Sequence, residues 1–320
     1  MVNKNYLINL IIFIILYLLL RILINKYVEK YSDDIKYEPS TYVSSYNYIY
    51  VCDHHIDNPI SESTDVPLTY PKSIGETIYI NTTAIPNFVI NYLPNIKYKF
   101  VLVSGDTDAG IPDDYVNETN IIIEHPLLIK WYAQNCVLIT DKLKQLPIGL
   151  DLHTLTKKPL WGPLQTVSEQ IKDIKNVQKI NINKKNKCYS NFHFLMDTKF
   201  GYDRKDAVNK IPSELVYYEP IKIPRIKSWN NMIEYKYVIS PLGNGLDCHR
   251  TWEAIILGCI PIVKKSGLDP MYEGLPVLIV NDWSDVTQDL LDNFKPDYTN
   301  IKKIYLDYWI NLFNMYREVP

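Results

Sequence analysis

A chain of 320 residues has room for two domains of ordinary size. A formal net charge of −2 with 47% hydrophobic residues marks a globular protein and supplies no basic field for nucleic acid, which is excluded as a partner. The five cysteines, at 52, 136, 188, 248 and 259, are scattered and form no C-x-x-C pair, which argues against a disulfide framework or a structural zinc.

At the amino end, residues 6–24 read YLINLIIFIILYLLLRILI, an apolar run close to the ~20 residues that cross a bilayer as a helix. The sequence therefore predicts a single-pass anchor, with the membrane as a partner through residues 6–24 and flanks completing a segment 1–31. A cleaved signal peptide fits less well, because the run exceeds the usual apolar core of ~7–15 residues and no small-x-small site follows it. Arg21 sits near the end of the run, placed to reach the headgroups. Orientation is drawn both ways. Arg21, Lys26, Lys30 and Lys36 follow the span and favour a cytoplasmic domain, whereas the sequons at Asn81 and Asn117 suit a lumenal one.

Beyond the anchor, short apolar runs alternate with helical patterns, as β/α units feeding parallel sheets do. Residues 46–52, 76–81, 99–104, 120–124 and 137–140 are predicted strands, and 127–135 a predicted helix. Together they make a first domain, 32–158. The polar stretch 159–187, helical over 168–177, is the predicted linker. A second domain, 188–320, then restarts the alternation: strand 188–194, helix 203–211, strand 215–221, helix 228–235, strand 235–241, helix 248–258, strands 259–264 and 276–280, and a long amphipathic closing helix over 300–317. The expected fold class is α/β, with two Rossmann-like domains facing a cleft.

The run SPLGNGLDCHRTWEAIILGCIPIV, 240–263, carries the chemistry. It has the layout strand, glycine-containing loop, helix, strand, and ligands of open α/β sheets bind where such loops leave the carboxyl ends of strands. Gly243 and Gly245 are expected to take positive φ and let a ligand close to the backbone around Asn244 and Asp247. Arg250, in the first turn of the helix, suits a phosphate, with His249 beside it. Glu253, one turn on, suits a pair of ribose hydroxyls. The plainer reading of Arg250 and Glu253 is an i,i+3 ion pair on a helix surface.

This run, continued by LDPMYEGLPVLIVNDW, closely resembles the carboxyl-terminal signature of exostosin-type glycosyltransferases, which have the GT-B fold. The match is dense over residues 238–283 and thin elsewhere. The resemblance implies a nucleotide-sugar donor, often a UDP-sugar, held with Arg250 on its diphosphate and Glu253 on its ribose. It also implies a glycan or glycoprotein acceptor held by the first domain, and inverting transfer that requires no cofactor and no bound metal.

Inverting transfer needs a general base, and Asp106 and Asp108, in VSGDTDAG at the end of strand 99–104, are the candidates, with Glu124 and His125 in reserve. Asp106-Thr107-Asp108 also has the D-x-D form that holds a divalent ion. His153 and His193 read as structural. A metal-dependent transferase using Asp106 and Asp108, and a non-catalytic carbohydrate-binding or assembly protein on the same fold, are the alternative functions.

Overall fold

The computed structural model describes residues 11–22, 37–57 and 59–317. It is a mixed α/β structure with two parallel sheets. The first has the order β1-β2-β3-β4, with β1 Glu76–Asn81, β2 Phe100–Gly105, β3 Leu128–Ala133 and β4 Leu143–Gln145. The second has the order β6-β5-β7-β8-β9, with β5 Lys185–Ser190, β6 Val216–Tyr218, β7 Tyr235–Ile239, β8 Ile260–Lys264 and β9 Leu278–Val280. All residues of β2 are buried, as are all but the first of β1, which explains why they read as continuous apolar runs rather than alternating ones. Parallel neighbours need crossovers, and helices Val116–Glu124, Gly201–Lys210, Arg225–Met232 and His249–Ile256 supply them.

Four expectations for the first half are overturned. Residues 46–51 lie in a helix, Ser45–Val51, not a strand, and Cys52 follows as its extended cap; Tyr46, Tyr48 and Ile49 are all buried, so no polar face was there to reveal the period. Residues 120–124 end the helix Val116–Glu124, although Ile121, Ile122 and Ile123 favour a strand, and 127–135 is strand β3 rather than a helix. The pairing of β3 between β2 and β4 decides that exchange, since tertiary position outweighs local propensity. Residues 137–140 form no strand, and β4 follows at 143–145. In the second half the order of elements is as expected, with ends shifted by a few residues and the closing helix shortened to Leu306–Asn314 after a 3₁₀ turn, Ile301–Ile304.

The predicted linker holds the helix Val167–Gln178, started by a capping box in which Thr166 and Glu169 exchange hydrogen bonds. It joins the second half: Gln178 Nε2 donates to the Ile256 carbonyl at 2.6 Å. The closing helix does the reverse and crosses back to the first half, where Trp309 packs on Tyr48 with ring centroids 6.5 Å apart and Phe313 packs on Tyr132 at 5.0 Å. One core cluster therefore runs through both halves, with a smaller one under each sheet.

Residues 11–22 form a helix exposed along its whole length. No helix among the described residues is long and apolar enough to cross a membrane, and the rest of the expected span, 6–10 and 23–24, lies outside them. Asn81, of the first sequon, is 1% exposed and donates to Asp106 Oδ2 at 3.3 Å, so the folded protein has no room for a glycan there. Asn117 is exposed on the helix Val116–Glu124.

Candidate functional site

Loops leaving the carboxyl ends of β2 and β3 meet the loop that follows β7. Asp106, directly after β2, has φ +56° and gives its N–H to Gln134 Oε1 at 2.8 Å. Asn135, after β3, has φ +48°; its Nδ2 donates to the Thr107 carbonyl at 2.9 Å, and its Oδ1 accepts the Asp247 N–H at 2.8 Å from the other half. A Cβ on Gly245 would stand 3.0 Å from Asn135 Nδ2. Neither Gly243 nor Gly245 has the positive φ expected of it. Both provide room instead, Gly245 for Asn135 and Gly243 for Arg204, whose Nη2 would be 3.0 Å from an added Cβ. Asn244 is exposed, and its Oδ1 accepts the Lys199 N–H at 3.3 Å.

Asp247, expected at the ligand, is 3% exposed and fully engaged. Its carboxylate accepts Ile148 N–H at 2.8 Å, Cys248 N–H at 2.9 Å and the Trp252 indole N–H at 2.8 Å. Burial pushes its pKa up to about 6. It fastens the loop after β7 to the connection out of β4 and to the helix His249–Ile256, a clasp between the halves.

On that helix, His249 Nδ1 lies 2.7 Å from the Gly149 carbonyl. A carbonyl only accepts, so Nδ1 carries the proton and Nε2 is the acceptor in the neutral ring. Arg250 reaches the end of β5: Nε donates to Asn191 Oδ1 at 3.3 Å, and the guanidinium lies 5.6 Å from the Phe192 ring centre. Arg250 and Glu253 are not paired with each other. No carboxylate comes within the 4.0 Å of an ion pair to Arg250, Arg204 or Arg225 among the described residues. Glu253 is raised above the ordinary carboxylate range by burial, against Arg225, His249 and the Trp229 indole.

The two aspartates of the D-x-D run part company. Asp106 is 6% exposed and burial pushes its pKa up to about 7, with the Ser61 hydroxyl, His249 and Lys157 acting the other way. Asp108 is exposed on the Cys248 side. Among the described residues no three His, Cys, Asp or Glu side chains gather as metal ligands.

Around His153, expected to be structural, the fold gathers Asp151, Lys157 and Arg225, which the sequence did not single out. Asp151, on the same connection as Gly149, is 5% exposed and accepts Thr154 N–H at 3.0 Å. Burial raises its pKa, but His153, His249 and Arg225 together hold it below the ordinary value. His153 is stacked on Tyr46 with centroids 4.2 Å apart, and burial pushes it down to about 4. Lys157 Nζ donates to Tyr46 Oη at 2.9 Å, and Arg225 donates to the Asp151 carbonyl at 2.5 Å. The one local signal was the pair Asp151 and His153 inside the otherwise apolar LPIGLDLHTL. Arg225 and Arg204 sit in ordinary-looking helices, and nothing in their surroundings along the chain marks them. Glu124 and His125 end the helix Val116–Glu124, before β3, at the amino ends of the strands and so at the opposite end of the sheet from Asp106.

Against protein-family models and against curated proteins, the chain finds no match.

Proposed function

We propose that the protein is a glycosyltransferase of the GT-B kind that moves a sugar from a nucleotide-sugar donor, a UDP-sugar by resemblance, to a glycan or glycoprotein acceptor, anchored in a membrane by residues 6–24. The observation that carries the reading is the split chemistry where the loops after β2 and β3 meet the loop after β7. The second half offers Arg250 without a carboxylate partner among the described residues, and the first half offers Asp106, a buried carboxyl group whose pKa lies near neutrality. An uncompensated guanidinium in such a place favours an anionic ligand, and a diphosphate fits its fork of donors.

In the reaction so read, the acceptor hydroxyl oxygen attacks the anomeric carbon from the face opposite the diphosphate. The bond from that carbon to the phosphate oxygen breaks, its electron pair leaves with the nucleoside diphosphate, and Arg250 stabilises the charge that develops there. Asp106 receives the hydroxyl proton; a base with pKa near 7 is well matched to operation near neutral pH. Glu253 and His249 flank the donor as hydrogen-bonding groups. Asp106 serves as the base in preference to Asp108 because it is the carboxylate whose charge is favoured by His249 from the second half and by Lys157 from its own.

A thermal-shift screen against UDP-, GDP- and CMP-sugars tests the donor, since a ligand that binds only the native state raises the melting temperature. The expected result is a shift with one nucleotide series, absent in Arg250→Ala, together with sugar transfer that persists in chelator. No shift with any series, or transfer abolished by chelator and restored by a divalent ion, would count against this reading.

A further inference from the structure

We propose that Arg204 is a second guanidinium of the donor site and that, with Arg250, it brackets the two phosphates of the diphosphate. The proposal rests on the donor reading above and adds to it a residue from a different helix, Gly201–Lys210.

Arg204 is 6% exposed, and its side chain is held rigidly: Nε donates to the Leu242 carbonyl at 2.9 Å and Nη1 to the Leu195 carbonyl at 2.5 Å. Its Nη2 points at the loop after β7, 3.0 Å from where a Cβ on Gly243 would sit. Cys248 Sγ is 3.2 Å from the same point and also lies 3.5 Å from the Pro241 carbonyl, which receives Arg250 Nη1 at 3.5 Å. The two guanidiniums thus stand on either side of one short loop. The adjacent carboxylate, Asp203, offsets part of the Arg204 charge but pairs with neither guanidinium: it is occupied by the Trp283 indole N–H at 2.8 Å and the Leu242 N–H at 2.9 Å.

Two like charges held near each other, one of them buried, with no carboxylate within pairing distance among the described residues, are mutually unfavourable. Burial first, and Arg250 after it, pull the Arg204 pKa down, while Cys248 and Asp203 act the other way. A ligand carrying two adjacent anionic groups relieves it; one carrying a single phosphate relieves it in part. The fixed Nε and Nη1 bonds mean that Arg204 waits in place rather than swinging in, and Gly243, lacking a Cβ, makes the room that Nη2 occupies beside the loop.

The test compares affinities of a nucleoside diphosphate and its monophosphate, UDP with UMP and GDP with GDP's monophosphate, for the full chain and for Arg204→Gln, Arg204→Lys and Arg250→Gln. The preference for diphosphate over monophosphate is the readout, because a merely structural role for Arg204 would weaken both ligands alike. Arg204→Gln is expected to lower diphosphate affinity about 30- to 100-fold, the size of one lost charge-assisted contact, and monophosphate affinity much less. Arg204→Lys, which keeps the charge should the glutamine variant not fold, is expected to lose about 5- to 10-fold on the diphosphate alone. A wild type that prefers the diphosphate, with that preference unchanged in Arg204→Lys and Arg204→Gln, overturns the role of Arg204 and leaves the donor reading standing. A wild type that binds neither UDP nor GDP overturns the donor reading itself, and the bracket with it.

Discussion

Replacing Asp106 by Asn is expected to move stability and activity in opposite directions. Burial lifts this carboxyl group from an ordinary 3.8 to about 7. At about 1.4 kcal/mol per pH unit, the folded protein favours the neutral form by about 4 kcal/mol more than the unfolded chain does. The sign follows from proton counts. Between about pH 4 and pH 7 the folded state keeps a proton that the unfolded state has released, so the stability linked to this group is full in acid and is lost as the pH rises through 7. Asn does not titrate and keeps an acceptor oxygen for Asn81 Nδ2, which lies 3.3 Å from Asp106 Oδ2. The stability of Asp106→Asn minus that of wild type should therefore rise by about 3 kcal/mol from pH 5 to pH 8. Asp247, with its pKa near 6, and His153, near 4, titrate in both proteins and cancel from the difference, although His153 alone gives the opposite slope, its stabilising effect fading as the pH falls from 6.5 toward 4. Urea unfolding followed by tryptophan fluorescence measures the difference, and sugar transfer, expected to fall about 10²- to 10⁴-fold, is assayed on the same samples. A flat difference curve, or a variant less stable at pH 8 than at pH 5 relative to wild type, would refute the reasoning.

Three further outcomes are expected. Asp247→Ala strands the Ile148, Cys248 and Trp252 donors inside the protein, so its unfolding free energy should drop by about 3–5 kcal/mol; a drop below 1 kcal/mol in urea titrations would remove the clasp. Gly245→Ala brings a methyl to 3.0 Å from Asn135 Nδ2 and should cost about 1–3 kcal/mol, most of it recovered on an Asn135→Ala background; a double-mutant cycle with no coupling would contradict that contact. If the domain is expressed facing the lumen, glycosidase digestion should change the mass of wild type and of Asn81→Gln but not of Asn117→Gln, because Asn81 is buried and Asn117 exposed.

The second half of the chain was the more legible. Its elements follow one another with glycine-containing loops and clear apolar strands, and the order strand, loop, helix, strand at 235–264 is matched by β7, His249–Ile256 and β8. In the first half the isoleucine run ending Val116–Glu124 and the tyrosines of Ser45–Val51 carry strand propensity in helices, while β3 includes Lys130 and Trp131 and reads as helix. Propensity is worth fractions of a kcal/mol per residue, and burial against a sheet outweighs it. The site was legible in the same uneven way. Arg250, Glu253 and the aspartates stood out by type and spacing. The carboxylate of Asp247 and the backbone at Gly243 and Gly245 were assigned to a ligand, and in the fold the carboxylate clasps the two halves while the glycines make room for Arg204 and Asn135.

By itself the sequence determined the class of fold, two parallel α/β sheets in succession, because the period and length of apolar runs are local properties of the chain. It also determined which segment would stand at the carboxyl end of a strand, since loop chemistry is local too. Only the tertiary structure decided that the last helix, Leu306–Asn314, belongs with the first sheet, and that Asp106 is buried while Asp108 is exposed. Only it set Arg204 and Arg250 on two sides of one loop. Burial and charge proximity depend on residues far apart in the chain, and no local pattern encodes the desolvation that gives a carboxyl group or a guanidinium its chemistry.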